Sequence, residues 1–256
     1  MNALGSHRRH PAAIVILLLL GLLATGSLYS LLAPKPAQAA VATQDQVQEG
    51  SKLFLANCAI CHLGGKGGPS LGGVGAAAVD FQVGTGRMPL TKPGTVQVPR
   101  GEVKFTDQQI AALAAYVSTF GPGPSIPDPK YTKGGGNIAK GNELFKVNCA
   151  MCHNFAGSGG ALTRGKYAPS LRDIRGKHIY EAMATGPESM PVYNDKNLSP
   201  SDKNDIISYL HDLDKGENPG GLSLGNLGPV SEGMFVWFFG LGLTILAAVW
   251  LGAKAG

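Results

Sequence analysis

Cysteine is almost absent from this sequence, occurring only as Cys58, Cys61, Cys149 and Cys152, with none left over. A structural zinc site would want its two C-x-x-C pairs about 15–20 residues apart. Here Cys61 and Cys149 lie 88 positions apart. No strand–helix–strand pattern surrounds either pair, so a thioredoxin-like dithiol lacks its setting. Net charge is scarce as well. The 22 Lys and Arg face 17 Asp and Glu, and without Arg8, Arg9 and Lys254 at the chain ends the basic count is 19. The positive balance is therefore largely an end effect and makes no case for nucleic-acid binding.

What is present is one frame used twice: Cys58-Ala59-Ile60-Cys61-His62 and Cys149-Ala150-Met151-Cys152-His153. C-x-x-C-H is the attachment signature of c-type haem. Two cysteines three apart sit on one turn and can each form a thioether to a haem vinyl group. The histidine that follows is held where a ring nitrogen can ligate the iron. Two covalently bound haem c groups are therefore expected, with Cys58, Cys61, Cys149 and Cys152 as attachment residues.

The frames lie inside a longer internal repeat. Gly50-Ser51-Lys52-Leu53-Phe54-Leu55-Ala56-Asn57 matches Gly141-Asn142-Glu143-Leu144-Phe145-Lys146-Val147-Asn148 at a constant offset of 91. Downstream, Gly68-Pro69-Ser70-Leu71 matches Ala168-Pro169-Ser170-Leu171. Thr85-Gly86-Arg87-Met88-Pro89 then matches the segment from Thr185 through Met190-Pro191, which has two residues more. Each copy ends in a helix. Thr106-Asp107-Gln108-Gln109 has the form of a capping box, followed by Ile110, Leu113, Ala114 and Val117 on one face. Ser199-Pro200-Ser201-Asp202 offers a serine cap, a first-position proline and a first-turn acid. Tyr116 and Tyr209 hold similar places in the two helices.

This order resembles the class I cytochrome c fold, present twice: mainly α, two tandem cytochrome c domains at 44–120 and 137–214. The resemblance implies His62 and Met88 as axial ligands of one iron, and His153 and Met190 of the other. It implies Pro69 and Pro169 as carbonyl partners of the histidines, and helix crossings at Gly50 with Tyr116 and Gly141 with Tyr209. A soft, neutral thioether suits an electron-transfer haem because it raises the potential. A lone methionine is often simply core, but Met88 is the only Met or His between His62 and Met151. Met190 has rivals in Met183, His178 and His211. Met183 reads better as packing, the two histidines as surface groups or as partners of the ligands. Irons so ligated have no open position, which speaks for electron transfer and against a dihaem peroxidase. Domains this small are short of apolar core, and a covalent haem supplies one.

The chain ends carry a second message. Ala12 to Ala33 is a run without charge, preceded by Arg8 and Arg9. Its length spans a bilayer and exceeds a typical signal-peptide core. Ala37-Gln38-Ala39 could be cut, but a retained anchor at 12–33 after a cytoplasmic stretch 1–11 is the expectation. Residues 233–253 form a second apolar run with Trp237 and Trp250 near its ends, and Lys254 follows. The positive-inside rule places both ends in the cytoplasm and the haem domains outside. The segment 121–136 reads as a proline-then-glycine spacer, and 215–232 as a tether to the second anchor. Arg164, Lys166, Arg172, Arg175 and Lys177 form a basic cluster, which faces haem propionates or an acidic partner, or is simply a solvated loop.

The whole layout resembles the dihaem cytochrome c subunit of actinobacterial menaquinol:cytochrome c reductases, the cytochrome bc1-type complexes. That resemblance implies a cytochrome b subunit and a Rieske iron–sulfur protein as partners, an aa3-type oxidase as electron acceptor in a supercomplex, and a lipid environment. A dihaem cytochrome accepting electrons from a periplasmic dehydrogenase is the alternative.

Overall fold

The computed structural model describes residues 11–32, 42–63, 67–90, 97–216 and 229–254. Arg8, Arg9, the candidate cleavage segment 37–39 and most of the tether 215–232 lie outside the described residues. The fold is mainly helical, and the chain divides into two units, Met1–Gln38 and Ala39–Gly256.

The first unit contains helix α1, Pro11–Leu32. Its stretch Ala12–Leu31 has a mean hydropathy of 2.3 and none of it is buried. At 1.5 Å per residue, a helix of 22 residues rises about 33 Å, enough for a hydrocarbon layer of about 30 Å. An apolar surface on every side has no use in water.

The second unit begins with α2 (Gln44–Asn57), the single turn α3 (Ala59–His62), α4 (Gly75–Gly84) and α5 (Asp107–Ser118). The second repeat supplies α6 (Ile138–Asn148), the single turn α7 (Ala150–His153), α8 (Gly176–Thr185) and α9 (Pro200–Lys215). Between α7 and α8, β1 (Gly160–Ala161) pairs antiparallel with β2 (Tyr167–Ala168). Helix α10, Pro229–Lys254, contains the second stretch long and apolar enough to cross a membrane, Ser231–Lys254, with mean hydropathy 2.1.

The expected caps form. Thr106 accepts from the Gln109 amide while the Gln109 side chain accepts from Thr106, and Ser199 and Asp202 exchange the same pair of bonds behind Pro200. Each repeat is built on one helix crossing, α2 on α5 and α6 on α9. A Cβ on Gly50 would strike the Ala112 carbonyl, and one on Gly141 the Asp205 carbonyl. Both contacts fall one turn before the paired tyrosines, so glycine is what lets these backbones touch. Phe54 meets Tyr116 at 5.4 Å between ring centres, and Phe145 meets Tyr209 at 5.5 Å. Such tilted pairs are favourable beyond their buried area.

Two expectations need correction. The sequence reading placed no helix between each haem frame and its M-P segment, but α4 and α8 stand there. Gly75–Gly84 is apolar nearly all round, so it carries no amphipathic period to be read. Nor does 121–136 act as a plain spacer. Its Pro124 carbonyl accepts from Ala77, and Gly136 and Asn137 donate to Ser208 and Asp205 at 2.8 Å each. Helix α4 packs against α8, so the repeats touch directly. A proline-rich segment still has backbone polar groups to satisfy: here a carbonyl accepts from the first repeat and amides donate to the second.

Candidate functional site

The two C-x-x-C-H frames fold alike. In each, the first cysteine closes the preceding helix, with Cys58 donating to Phe54 and Cys149 to Phe145, both at 2.8 Å. The histidine amide then bonds back to that cysteine carbonyl, at 3.0 Å for His62 and 2.9 Å for His153. One helical turn thus carries both sulfurs and the imidazole. All four thiols are free of disulfides.

The imidazoles are oriented identically. His62 Nδ1 donates to the Pro69 carbonyl at 2.9 Å, and His153 Nδ1 to the Pro169 carbonyl at 2.9 Å. A carbonyl only accepts, so Nδ1 carries a proton, and in the neutral ring the lone pair for a metal is then on Nε2. Burial lowers the His153 pKa, against the pull of the Pro169 bond, so the ring stays neutral and able to ligate. Burial, with Cys152 adding to it, pushes the Cys149 thiol up to about 12, and Cys58 is raised for the same reasons with Cys61 beside it.

In the second repeat, Cys149, Cys152, His153 and Met190 line one cavity of about 220 Å³. Its walls are mostly apolar, among them Phe145, Leu171, Ile179, Ile206 and Leu210. Met183 also lines it but is buried in the core, which matches its reading as packing. In the first repeat, Met88, Cys58 and Leu71 pack on the core of Phe54, Val83, Ile110, Leu113 and Val117. An apolar slot lined by an oriented imidazole, a thioether and two thiols fits a covalently held haem.

Comparison with known proteins agrees. A family model described as cytochrome C oxidase, cbb3-type, subunit III matches residues 45–117 and 136–210. A cytochrome bc1 complex cytochrome c subunit of Mycobacterium leprae is 44% identical over 254 residues, 94% of this chain and 87% of that protein. The protein of the same name from Corynebacterium diphtheriae is 41% identical over 273 residues, covering 96% and 95%. The chain belongs to the family of cytochrome bc1 complex cytochrome c subunits. A thiosulfate dehydrogenase of Stutzerimonas stutzeri is 31% identical over only 105 residues, 38% of this chain and 34% of that one. As a member of this family the chain is a c-type cytochrome of electron transport, and it carries haem c.

Several polar residues of this family member sit differently from their sequence reading. His178 is not a surface group: it is 3% exposed, between α4 and α8. His211 is half-buried, its Nε2 near the Ile174 carbonyl at 3.3 Å. The basic cluster does not act as one patch. Arg172 pairs with Asp214 at 2.7 Å, Lys177 with Asp80 at 2.8 Å, Arg175 with Asp107 at 3.5 Å, and Lys166 bonds Ser189. Their partners come from distant parts of the chain, so sequence made the cations look unopposed.

Asp80, His178 and Glu181 form a buried polar knot between the repeats, with Lys177 and Arg175 at its edge. Burial first, then Asp80, pushes the Glu181 carboxyl up to about 9. Burial, then Arg175 and Lys177, lowers His178 to about 4. With Glu181 protonated and the ring neutral, the carboxyl O–H donates to His178 Nδ1 at 3.0 Å. A raised acid stabilises the fold below its ordinary value of 4.5, and that stability is lost as pH climbs to about 9. A lowered histidine stabilises it above 6.5, and that is lost as pH falls toward 4. The two slopes nearly cancel between these ordinary values, so net loss begins above 6.5. Thermal melting should show stability falling between pH 6.5 and 9, by at most about 3.4 kcal/mol at 1.36 kcal/mol per unit. Glu181→Gln keeps a donor to Nδ1 and should flatten that limb. An unchanged alkaline slope in this variant would remove Glu181 as its cause.

Proposed function

We propose that this chain is the dihaem electron-relay subunit of a membrane quinol:cytochrome c reductase. Residues 44–120 would hold one haem on Cys58 and Cys61, with His62 and Met88 as the side chains that ligate its iron. Residues 137–214 would hold the second on Cys149 and Cys152, with His153 and Met190. The observation that carries this is the duplicated cradle, a C-x-x-C-H turn whose histidine is tied to a proline carbonyl in both repeats.

Each bound haem supplies reversible one-electron exchange. The protein's own residues orient the imidazole through Pro69 or Pro169, exclude water with apolar walls, and set the potential with a neutral thioether. No side chain in the cavity has to move a substrate proton. The electron donor is the Rieske iron–sulfur protein, the neighbouring subunit is cytochrome b, and the acceptor is an aa3-type oxidase in the same assembly. The names of the relatives support the complex, and the two apolar helices support a place in the membrane. Both ends lie in the cytoplasm and the haem domains outside it, following Arg8, Arg9 and Lys254.

Purification in mild detergent tests the assignment. Co-purifying b-type haem and a Rieske centre support it; a co-purifying dehydrogenase without them favours the alternative, toward which the thiosulfate dehydrogenase likeness points.

Ligation has its own test. Met88→Ala and Met190→Ala should each remove about half of the iron–sulfur charge-transfer band of the oxidised protein and lower one midpoint potential, since thioether ligation raises it. An unchanged band in the Met190→Ala protein would move that ligand role to Met183, the other thioether lining the cavity.

A further inference from the structure

The second haem cavity is not closed by its own repeat alone. Phe81, Thr85, Arg87, Gln97 and Arg100, all from the first repeat, line it together with Cys149, Cys152, His153 and Met190. The segment holding them is docked rather than merely near. The Gln97 side chain makes two bonds to the Tyr167 backbone, 2.8 Å each, one given and one accepted. Val98 donates to Glu188 at 3.2 Å, and Arg100 to the Ser170 carbonyl at 3.1 Å. Ser170 directly follows Pro169, the residue that orients His153.

The two guanidiniums stand out chemically. Arg87 is 8% exposed, lies over the Phe81 ring at 4.7 Å, and donates to Thr85 Oγ1 at 2.6 Å. Among the described residues that is the one hydrogen bond its guanidinium makes with five possible donors, and neither arginine forms a salt bridge there. A largely buried cation beside a second cation, with no carboxylate in contact, is costly unless an anion completes the site. Glu188 also lines the cavity, but its carboxylate accepts from the Val98 amide, and its pull on Arg87 is weaker than the opposition of Arg100. Within the cluster from Arg164 to Lys177, Arg172, Arg175 and Lys177 already have carboxylates, and Lys166, which lines the cavity too, is held by the Ser189 hydroxyl.

We propose that Arg87 and Arg100 of the first repeat bind the propionate carboxylates of the haem held by the second repeat. This rests on the dihaem reading above. The second haem site is then composite, and Arg87 connects its acidic edge directly to Met88, the proposed axial ligand of the first haem and its neighbour in sequence. Paired arginines favour the ferrous state at the second iron by offsetting carboxylate charge.

The test uses the full-length membrane protein grown on 5-aminolevulinate labelled at its carboxyl carbon, which marks haem propionates. Redox-difference infrared spectra and a spectroelectrochemical titration are recorded for Arg100→Gln, Arg100→Lys and Arg87→Gln, the two midpoints being assigned from Met88→Ala and Met190→Ala. In Arg100→Gln the reduced-to-oxidised ratio of the second haem at fixed potential should fall roughly three- to tenfold, the size expected for one charge lost at the edge of a partly buried redox centre. The labelled carboxylate bands should shift, and Arg100→Lys should restore most of both. Arg100 is exposed, so this variant reports even where Arg87→Gln, which loses a buried stack, does not fold. Unmoved labelled bands and an unmoved second midpoint in Arg100→Gln would overturn the inference, as would a shift confined to the first haem. The mass of the peptide bearing Cys149 and Cys152 is measured in every sample. A peptide without haem there removes the dihaem reading itself, and a haem-bearing peptide with unmoved spectra removes only the arginine assignment.

Discussion

Serine at both Cys149 and Cys152 should leave a chain with half the covalent haem and a second repeat that no longer folds. The expectation follows from volume. The cavity these residues border is about 220 Å³. At about 24 cal/mol per Å³, an unfilled space of that size costs about 5 kcal/mol, as much as a small domain's whole stability. Haem staining on a denaturing gel should fall by half, and limited proteolysis should cut within 137–214. The damage should also reach the first repeat, because α4 rests on α8 and Gln97 is bonded to Tyr167. Its thermal transition should therefore drop while its haem stays attached. Each repeat keeps its own core, and the effect crosses through the surface the two repeats share. A protease-resistant second repeat without haem would overturn the volume argument.

Gly141→Val should be nearly as damaging without touching a haem residue. Any Cβ there falls on the Asp205 carbonyl of α9, and backbone cannot step aside as a flexible side chain can. Valine would force α6 off α9, separating Phe145 from Tyr209 and opening the second core. Overpacking typically costs about 1–3 kcal/mol, and a backbone clash in the main crossing of a small domain belongs at about 3 kcal/mol or above. The same change at Gly50 should act alike on the first repeat through Ala112. Melting curves with haem absorbance as the probe would measure both. Equal stability of either variant and the parent would mean that the crossing is not closed by glycine contact.

Much of this was legible in sequence because it is local. The helix caps at Thr106 and Ser199 depend on residues three apart, and hydrogen bonds join those same residues in the folded chain. The single turn carrying each C-x-x-C-H frame is equally short-range, as is the apolar character of 12–31 and 231–254. The histidine-to-proline bonds span seven residues in one repeat and sixteen in the other, within reach of the repeat comparison.

Other features needed the folded chain. Helix α4 was missed because its apolar residues cover nearly every side, leaving no period to detect. The burial of His178 depends on Asp80 and Phe81 of the other repeat, and the basic cluster dissolved once Asp80, Asp107 and Asp214 came alongside. Arg87 and Arg100 carried no signal of their own beyond being two cations. Thiols, imidazole, caps and spans could be read directly from the order of residues, because each is set by spacing over a few bonds. Which repeat closes which cavity could be read only from the folded molecule. Contacts between residues 70 or more positions apart settle it, and their energy depends on burial, which no local pattern encodes.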